Sequence, residues 1–147
     1  IGRPGYELSK GTNGTFGYNE KTSHSGWTAP MAHFRNLNIF PKFFVETGSH
    51  RASVKAVAQG KIDFAAIDAQ SWRLIEKYDS FVSNVKVLGH TNPSPGLPFI
   101  TSKINLRKNL FNAIRQAVRN LQKQYRSVLY LNDFVTIDKN KYLSFQS

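Results

Sequence analysis

The sequence has no cysteine and only one methionine. Without cysteine there are no disulfides and no thiolate metal sites, but both reducing and oxidising compartments remain open. No apolar run approaches the ~20 residues that cross a bilayer as a helix. The first residues, Ile1-Gly2-Arg3-Pro4, do not have the basic-then-apolar form of a secretory leader, so composition leaves localisation open. The four histidines, His24, His33, His50 and His90, show no short ligand spacing, and neither a metal site nor a cofactor is expected. Acidic residues are scarce as well. Nine Asp and Glu against 20 Lys and Arg leave a formal charge of +11, a field that draws nucleic acid, anionic membrane surfaces or small anions.

What is present suits one ordinary domain. The chain has 147 residues and is 40% hydrophobic, enough to build a core and too apolar for a disordered chain. Seven basic residues lie between Lys103 and Arg126, where Leu106, Leu110, Ile114, Val118, Leu121 and Tyr125 recur every three or four positions. That spacing predicts one helix with an apolar face and a solvated basic face. No zinc-finger spacing, basic zipper or aromatic RNA-recognition signature accompanies it, so specific nucleic-acid binding is not expected.

Taken in order, residues 1–14 are rich in glycine and show no periodicity, a loop-rich lead-in. Thr15-Phe16-Gly17-Tyr18-Asn19 reads as a short strand. It runs into the polar turn Glu20-Lys21-Thr22-Ser23-His24-Ser25-Gly26 and a helix reaching about Leu37, with Pro30 suited to its first turn. The pattern then repeats. Phe43-Phe44-Val45 is a strand, Glu46-Thr47-Gly48-Ser49-His50-Arg51-Ala52-Ser53 a tight polar turn, and Val54 to Ala58 a helix closed by Gly60. Ile62-Asp63-Phe64-Ala65-Ala66-Ile67 predicts a buried strand stopping at Asp68, followed by a helix over 69–78 and a further strand over 85–89. Such alternation implies an α/β fold with a mainly parallel sheet, in which ligands bind where strand ends meet helix starts.

Three polar clusters occupy those places: residues 22–26, residues 47–53 and Asp68. Helix N-termini offer free N–H groups and a positive dipole end to an anion, and His50 adds a ring donor. A carboxylate such as Asp68 repels a fully ionised anion but accepts a charge-assisted O–H···O bond from one that keeps a proton. Phosphate esters lose their second proton near pH ~6, so phosphorus oxyanions can keep one where sulfate cannot. Tyr18 and Trp72 are candidates for contact with an organic substituent. Hydrolysis is the rival chemistry, since Ser49, His50 and Asp68 include the residue types of a triad. Adjacent Ser and His are poorly placed for proton transfer, however, and no Gly-x-Ser-x-Gly elbow is present, so no enzyme is expected.

The segments Thr47-Gly48-Ser49-His50-Arg51-Ala52-Ser53, Val57-Ala58-Gln59-Gly60-Lys61-Ile62-Asp63-Phe64-Ala65-Ala66-Ile67-Asp68 and Gly89-His90-Thr91-Asn92-Pro93-Ser94-Pro95-Gly96-Leu97-Pro98 resemble the phosphate/phosphite/phosphonate-binding family of ABC-transporter solute receptors. Ser23-His24-Ser25-Gly26 resembles that family's Ser-rich helix start, and the likeness extends to Phe134-Val135-Thr136-Ile137-Asp138 and Tyr142. The resemblance implies a three-layer αβα lobe of the type II periplasmic-binding kind, an ABC permease as partner and an extracytoplasmic location. It also implies Ser23, His24, Ser25, Gly26, Thr47, Ser49, His50 and Asp68 as ligand-binding positions. Family members carry a further N-terminal lobe that this sequence lacks, so the fold is expected to be incomplete. Residues 15–92 correspond to the second, ligand-binding lobe, and 93–147 to a crossover and return segment of a partial first lobe. A ligand-sensing domain of a signalling receptor is the alternative use of the same module.

Overall fold

The computed structural model describes residues 1–143. Two compact units succeed one another, Ile1–Asn92 and a second that begins at Pro93.

The first unit is built on three parallel strands, β1 (Thr15–Tyr18), β2 (Phe43–Glu46) and β3 (Phe64–Ala65), in the order β2-β1-β3. Helices α1 (Ala29–Asn36) and α2 (His50–Ala58) connect them, and α3 (Ala69–Tyr78) follows β3. Central β1 places Phe16 opposite both Phe44 and Phe64, and Gly17 opposite both Val45 and Ala65. Strand side chains alternate between faces, so Phe16, Tyr18 and Phe64 share one face. There they make a core with Phe34 of α1 and with Ile39. Ala65 falls on the other face, in a smaller core with Ile62 and with Val57 of α2. Gly17 lets that second face close, since a Cβ on it would overlap the Ile62 side chain. Helices therefore cover both sides of the sheet, and the unit has the expected αβα layering.

Local signals placed β1, β2, α2 and α3 well but misjudged what depends on distant partners. The strand expected over 62–67 pairs only at Phe64 and Ala65, because β1 is itself four residues long and the chain then turns to cap α3. No strand forms over 85–89. Lys86 makes a single antiparallel bridge with Gly2, which also bridges Phe64. The lead-in thus carries more order than its composition suggests. Ile1 exchanges hydrogen bonds with Ala65 in both directions at 2.9 and 3.0 Å, and a 3-10 helix spans Leu8–Asn13. Asp63 ties the lead-in to β1, its carboxylate accepting from Thr15 N at 2.8 Å and pairing with Arg3 at 3.0 Å.

In the second unit the single expected helix is two, α4 (Arg107–Asn120) and α5 (Lys123–Leu129), broken at extended Leu121 (φ −58, ψ 134). No proline or glycine marks the break; the returning chain does. Arg126 binds the carbonyls of Leu131 and Asn132, while Arg115 and Arg119 both grip Asp133 at 2.7–2.8 Å. Those two guanidiniums, together with the Phe134 N–H, hold the Asp133 carboxyl far below the usual carboxylate range. Phe134 packs against Phe99 and Phe111 with ring centroids 5.5 and 5.2 Å apart. Helix α6 spans Lys139–Leu143.

Candidate anion-binding site

Each strand of the sheet runs, at its carboxyl end, into a polar turn that opens a helix. Beyond β1, Ser23 caps a five-residue π-helical turn, His24–Thr28, which leads directly into α1; its Oγ accepts from Gly26 N at 3.0 Å. Beyond β2, Ser49 caps α2 by accepting from Ala52 N at 3.1 Å, after Gly48 takes the left-handed conformation (φ +82) that glycine adopts without strain. Beyond β3, Asp68 caps α3, its Oδ2 accepting from Ser71 N at 2.8 Å. Three parallel neighbours end at one edge of the sheet, so all three helix starts lie along that edge. Their free N–H groups and dipole ends add up to a local excess of positive character.

Hydrogen bonds join the first two turns. Gly48 N donates to the Asn19 carbonyl at 3.0 Å, and Thr47 donates to the Tyr18 carbonyl from both N and Oγ1 at 2.8 and 2.9 Å. Ser25 Oγ meets His50 Nε2 at 3.1 Å, so a side chain of the first turn touches the first residue of α2. His50 Nδ1 is buried without a hydrogen-bond partner among the described residues. Burial lowers the His50 pKa below its ordinary value, while the Asp68 carboxylate and the Ala66 backbone partly oppose that shift. The ring is therefore neutral at pH 7 and carries one N–H. Through this imidazole the three turns act on one another, two by contact and Asp68 by its field.

The remaining positions sort by what their polar atoms already do. Ser23 and Ser49 accept cap bonds, and each hydroxyl keeps its own proton to donate. Asp68 likewise keeps a second oxygen beyond the Ser71 bond. The Thr47 hydroxyl, by contrast, is committed within its turn, to Tyr18, Ser49 and Ser53. His24 is half-buried on the π-helical turn, and Gly26 is buried beneath it. Tyr18 is a core ring, 4.6 Å from Trp27 by centroids, and its hydroxyl pKa is raised by burial and by the Glu46 carboxylate. Trp72 is half-buried in the first turn of α3, with its backbone N–H on the Asp68 carbonyl at 2.8 Å. Sequence reading missed Asn19, whose Oδ1 is buried without a partner among the described residues and lies where a Cβ on Gly26 would stand. A single Asn after a strand carries no signal of such a role.

Gly26→Ala is a direct test of how tightly this turn is built. The added methyl overlaps Asn19 Oδ1 and comes within 3.1 Å of the capping Ser23 Oγ, so both must move. The expected loss is about 1–3 kcal/mol, read as a lowered midpoint in thermal denaturation.

Over residues 6–142 the chain matches the family described as ABC transporter, phosphonate, periplasmic substrate-binding protein. The chain belongs to this family. No curated protein sequence matches it. Membership places it in a class of transport solute receptors rather than a class of enzymes, and in one whose members work outside the cytoplasm beside an ABC permease system. The α/β unit with its small open parallel sheet is accordingly of the type II periplasmic-binding kind. Among the described residues no group of three or more His, Asp and Glu is placed to hold a metal ion, and no helix is long and apolar enough to cross a membrane.

Proposed function

We propose that this phosphonate-family chain captures a phosphorus oxyanion at its three helix starts, as the solute-binding component of an ABC importer. Phosphonates come first among the candidate ligands, with phosphate and phosphite as the smaller members of the series. The observation that carries the reading is the Ser25–His50 contact, which joins two helix N-termini within the field of the Asp68 carboxylate. Ser23, Ser25 and Ser49 offer hydroxyl donors, and the helix starts offer the backbone N–H groups that their own caps do not take. With its proton on Nε2, His50 donates to Ser25 and leaves the Ser25 hydroxyl proton for the anion. Asp68 then accepts the P–OH of a singly protonated ligand and turns away sulfate, which has no proton to give.

Ser25 and His50 also stand at the spacing of a nucleophile and its base. Asp68, however, bonds Ser71 rather than His50 Nδ1, so the imidazole lacks the oriented partner that such chemistry uses. Calorimetric titration with methylphosphonate, 2-aminoethylphosphonate, phosphate, phosphite and sulfate tests the proposal. Heat is expected from the phosphorus ligands and none from sulfate. Asp68→Asn preserves the α3 cap, because asparagine caps as well as aspartate. It removes a charged acceptor, and binding is expected to weaken by about 10- to 100-fold with the melting temperature little changed. Equal binding of sulfate and phosphonate, or an unaffected Asp68→Asn variant, would sink the reading.

A further inference from the structure

Asn19 is the first residue beyond the central strand β1, and it touches both of the turns that meet at Ser25 and His50. Its main chain is tied to the second turn, the carbonyl accepting from Gly48 N at 3.0 Å. Its side chain is tied to the first. Asn19 Oδ1 is buried without a hydrogen-bond partner among the described residues, and a Cβ on Gly26 would overlap it and stand 3.0 Å from Asn19 Cγ. Only glycine, with a hydrogen in place of that Cβ, lets the carboxamide oxygen come so close.

A carboxamide is planar and carries its acceptor and its two donors on opposite sides. With Oδ1 packed on Gly26, the NH2 group faces away from that turn. Unlike Oδ1 it is not buried, and it too has no hydrogen-bond partner among the described residues. Two N–H donors are therefore left open at the carboxyl end of the central strand, held there by the neighbour in sequence of Ser25. A buried oxygen without a partner is uncommon in folded proteins and calls for a reason. Here the same contact that strips the oxygen of partners fixes the direction of the donors. We propose that Asn19 is a further ligand-binding residue, donating from Nδ2 to an oxygen of the phosphorus oxyanion. The proposal rests on the anion-site reading above and adds a division of labour to it. Asp68 accepts a proton and so reads the protonation state of the ligand. A neutral amide donor serves any ligand oxygen, so Asn19 adds affinity common to phosphonates, phosphate and phosphite.

Two variants and one spectrum test this. Asn19→Asp keeps the shape of the side chain but replaces the donors with a charged acceptor; Asn19→Ala removes both. In calorimetric titrations of the full chain, Asn19→Ala is expected to bind methylphosphonate, phosphate and phosphite about tenfold more weakly, by a similar factor for each, and Asn19→Asp more weakly still. The direct readout is the side-chain amide region of a nitrogen-15 NMR spectrum. The Asn19 NH2 pair is the one missing from Asn19→Asp. In the wild type it is expected to shift with saturating methylphosphonate and to stay in place with the same concentration of sulfate, a response that a purely structural role would not give. The wild-type spectrum decides even where Asn19→Ala fails to fold. An NH2 pair unmoved at saturation, or wild-type heat with Asn19→Ala within about twofold of it, overturns the role of Asn19 and leaves the anion site standing. No heat from any phosphorus ligand in the wild type overturns both.

Discussion

Phe16→Ala is expected to remove about 3–5 kcal/mol of stability, a large share of the roughly 5–15 kcal/mol that holds an ordinary domain folded. Phe16 is fully buried in the middle of the central strand, and four other aromatic rings pack on it. Phe34 of α1 meets it edge-on at 5.1 Å and Phe64 of β3 lies 5.3 Å away by centroids, so one side chain ties the helix layer to two strands. Alanine would leave a cavity walled by stiff rings that cannot collapse into it, which puts the cost at the upper end for such substitutions. Chemical denaturation followed by circular dichroism checks it. The expected result is a lower midpoint at unchanged slope, and Phe16→Leu is expected to recover a good part of the loss. A change below about 1 kcal/mol would show that this core is looser than its ring contacts indicate.

The second large effect concerns His50. Its replacement by alanine removes the partner that leaves the Ser25 hydroxyl proton for the proposed anion. Phosphonate affinity is expected to fall by about 10- to 100-fold, the range for a lost hydrogen bond to a charged group. His50→Gln keeps an N–H donor without a titrating ring, and is expected to bind between the wild type and His50→Ala. Stability depends on pH in a direction that follows from burial. The folded pKa lies below the ordinary 6.5, so the folded state holds fewer protons than the unfolded chain as pH falls below that value. The contribution from neutral His50 is therefore fully present above pH 6.5 and is lost as pH falls towards the folded pKa. The pH-dependent part that disappears in His50→Gln isolates the imidazole. Thermal denaturation of both proteins between about pH 5 and about pH 8 measures it, and identical profiles would mean that the ring is solvated in the folded state.

Much of this was legible in the chain because it is local. Apolar runs of four to six residues, polar turns rich in hydroxyls and a left-handed glycine after α2 are decided by neighbours in sequence. Lys86 bonding to Gly2 was not legible, because its partner is more than eighty residues away and neither segment has a pattern of its own. The break at Leu121 escaped notice for a related reason. A three-four spacing persists across a two-residue interruption, and only the grip of Arg115, Arg119 and Arg126 on the returning chain fixes where the helix stops.

The sequence by itself determined that this chain is an α/β protein with polar helix starts after its strands, and its motifs carried the resemblance to phosphonate-binding receptors that the family match bears out. Hydrophobic period and capping chemistry act within a turn or two, and this much needs nothing more. Tertiary structure decided that β1 is central, and therefore that three helix starts share one edge of the sheet. It also decided that Ser25 reaches His50, that Thr47 turns inward to hold its own turn, and that β2 is left exposed. Strand order and register are settled by pairing between distant segments, and one strand of sequence does not contain its neighbour.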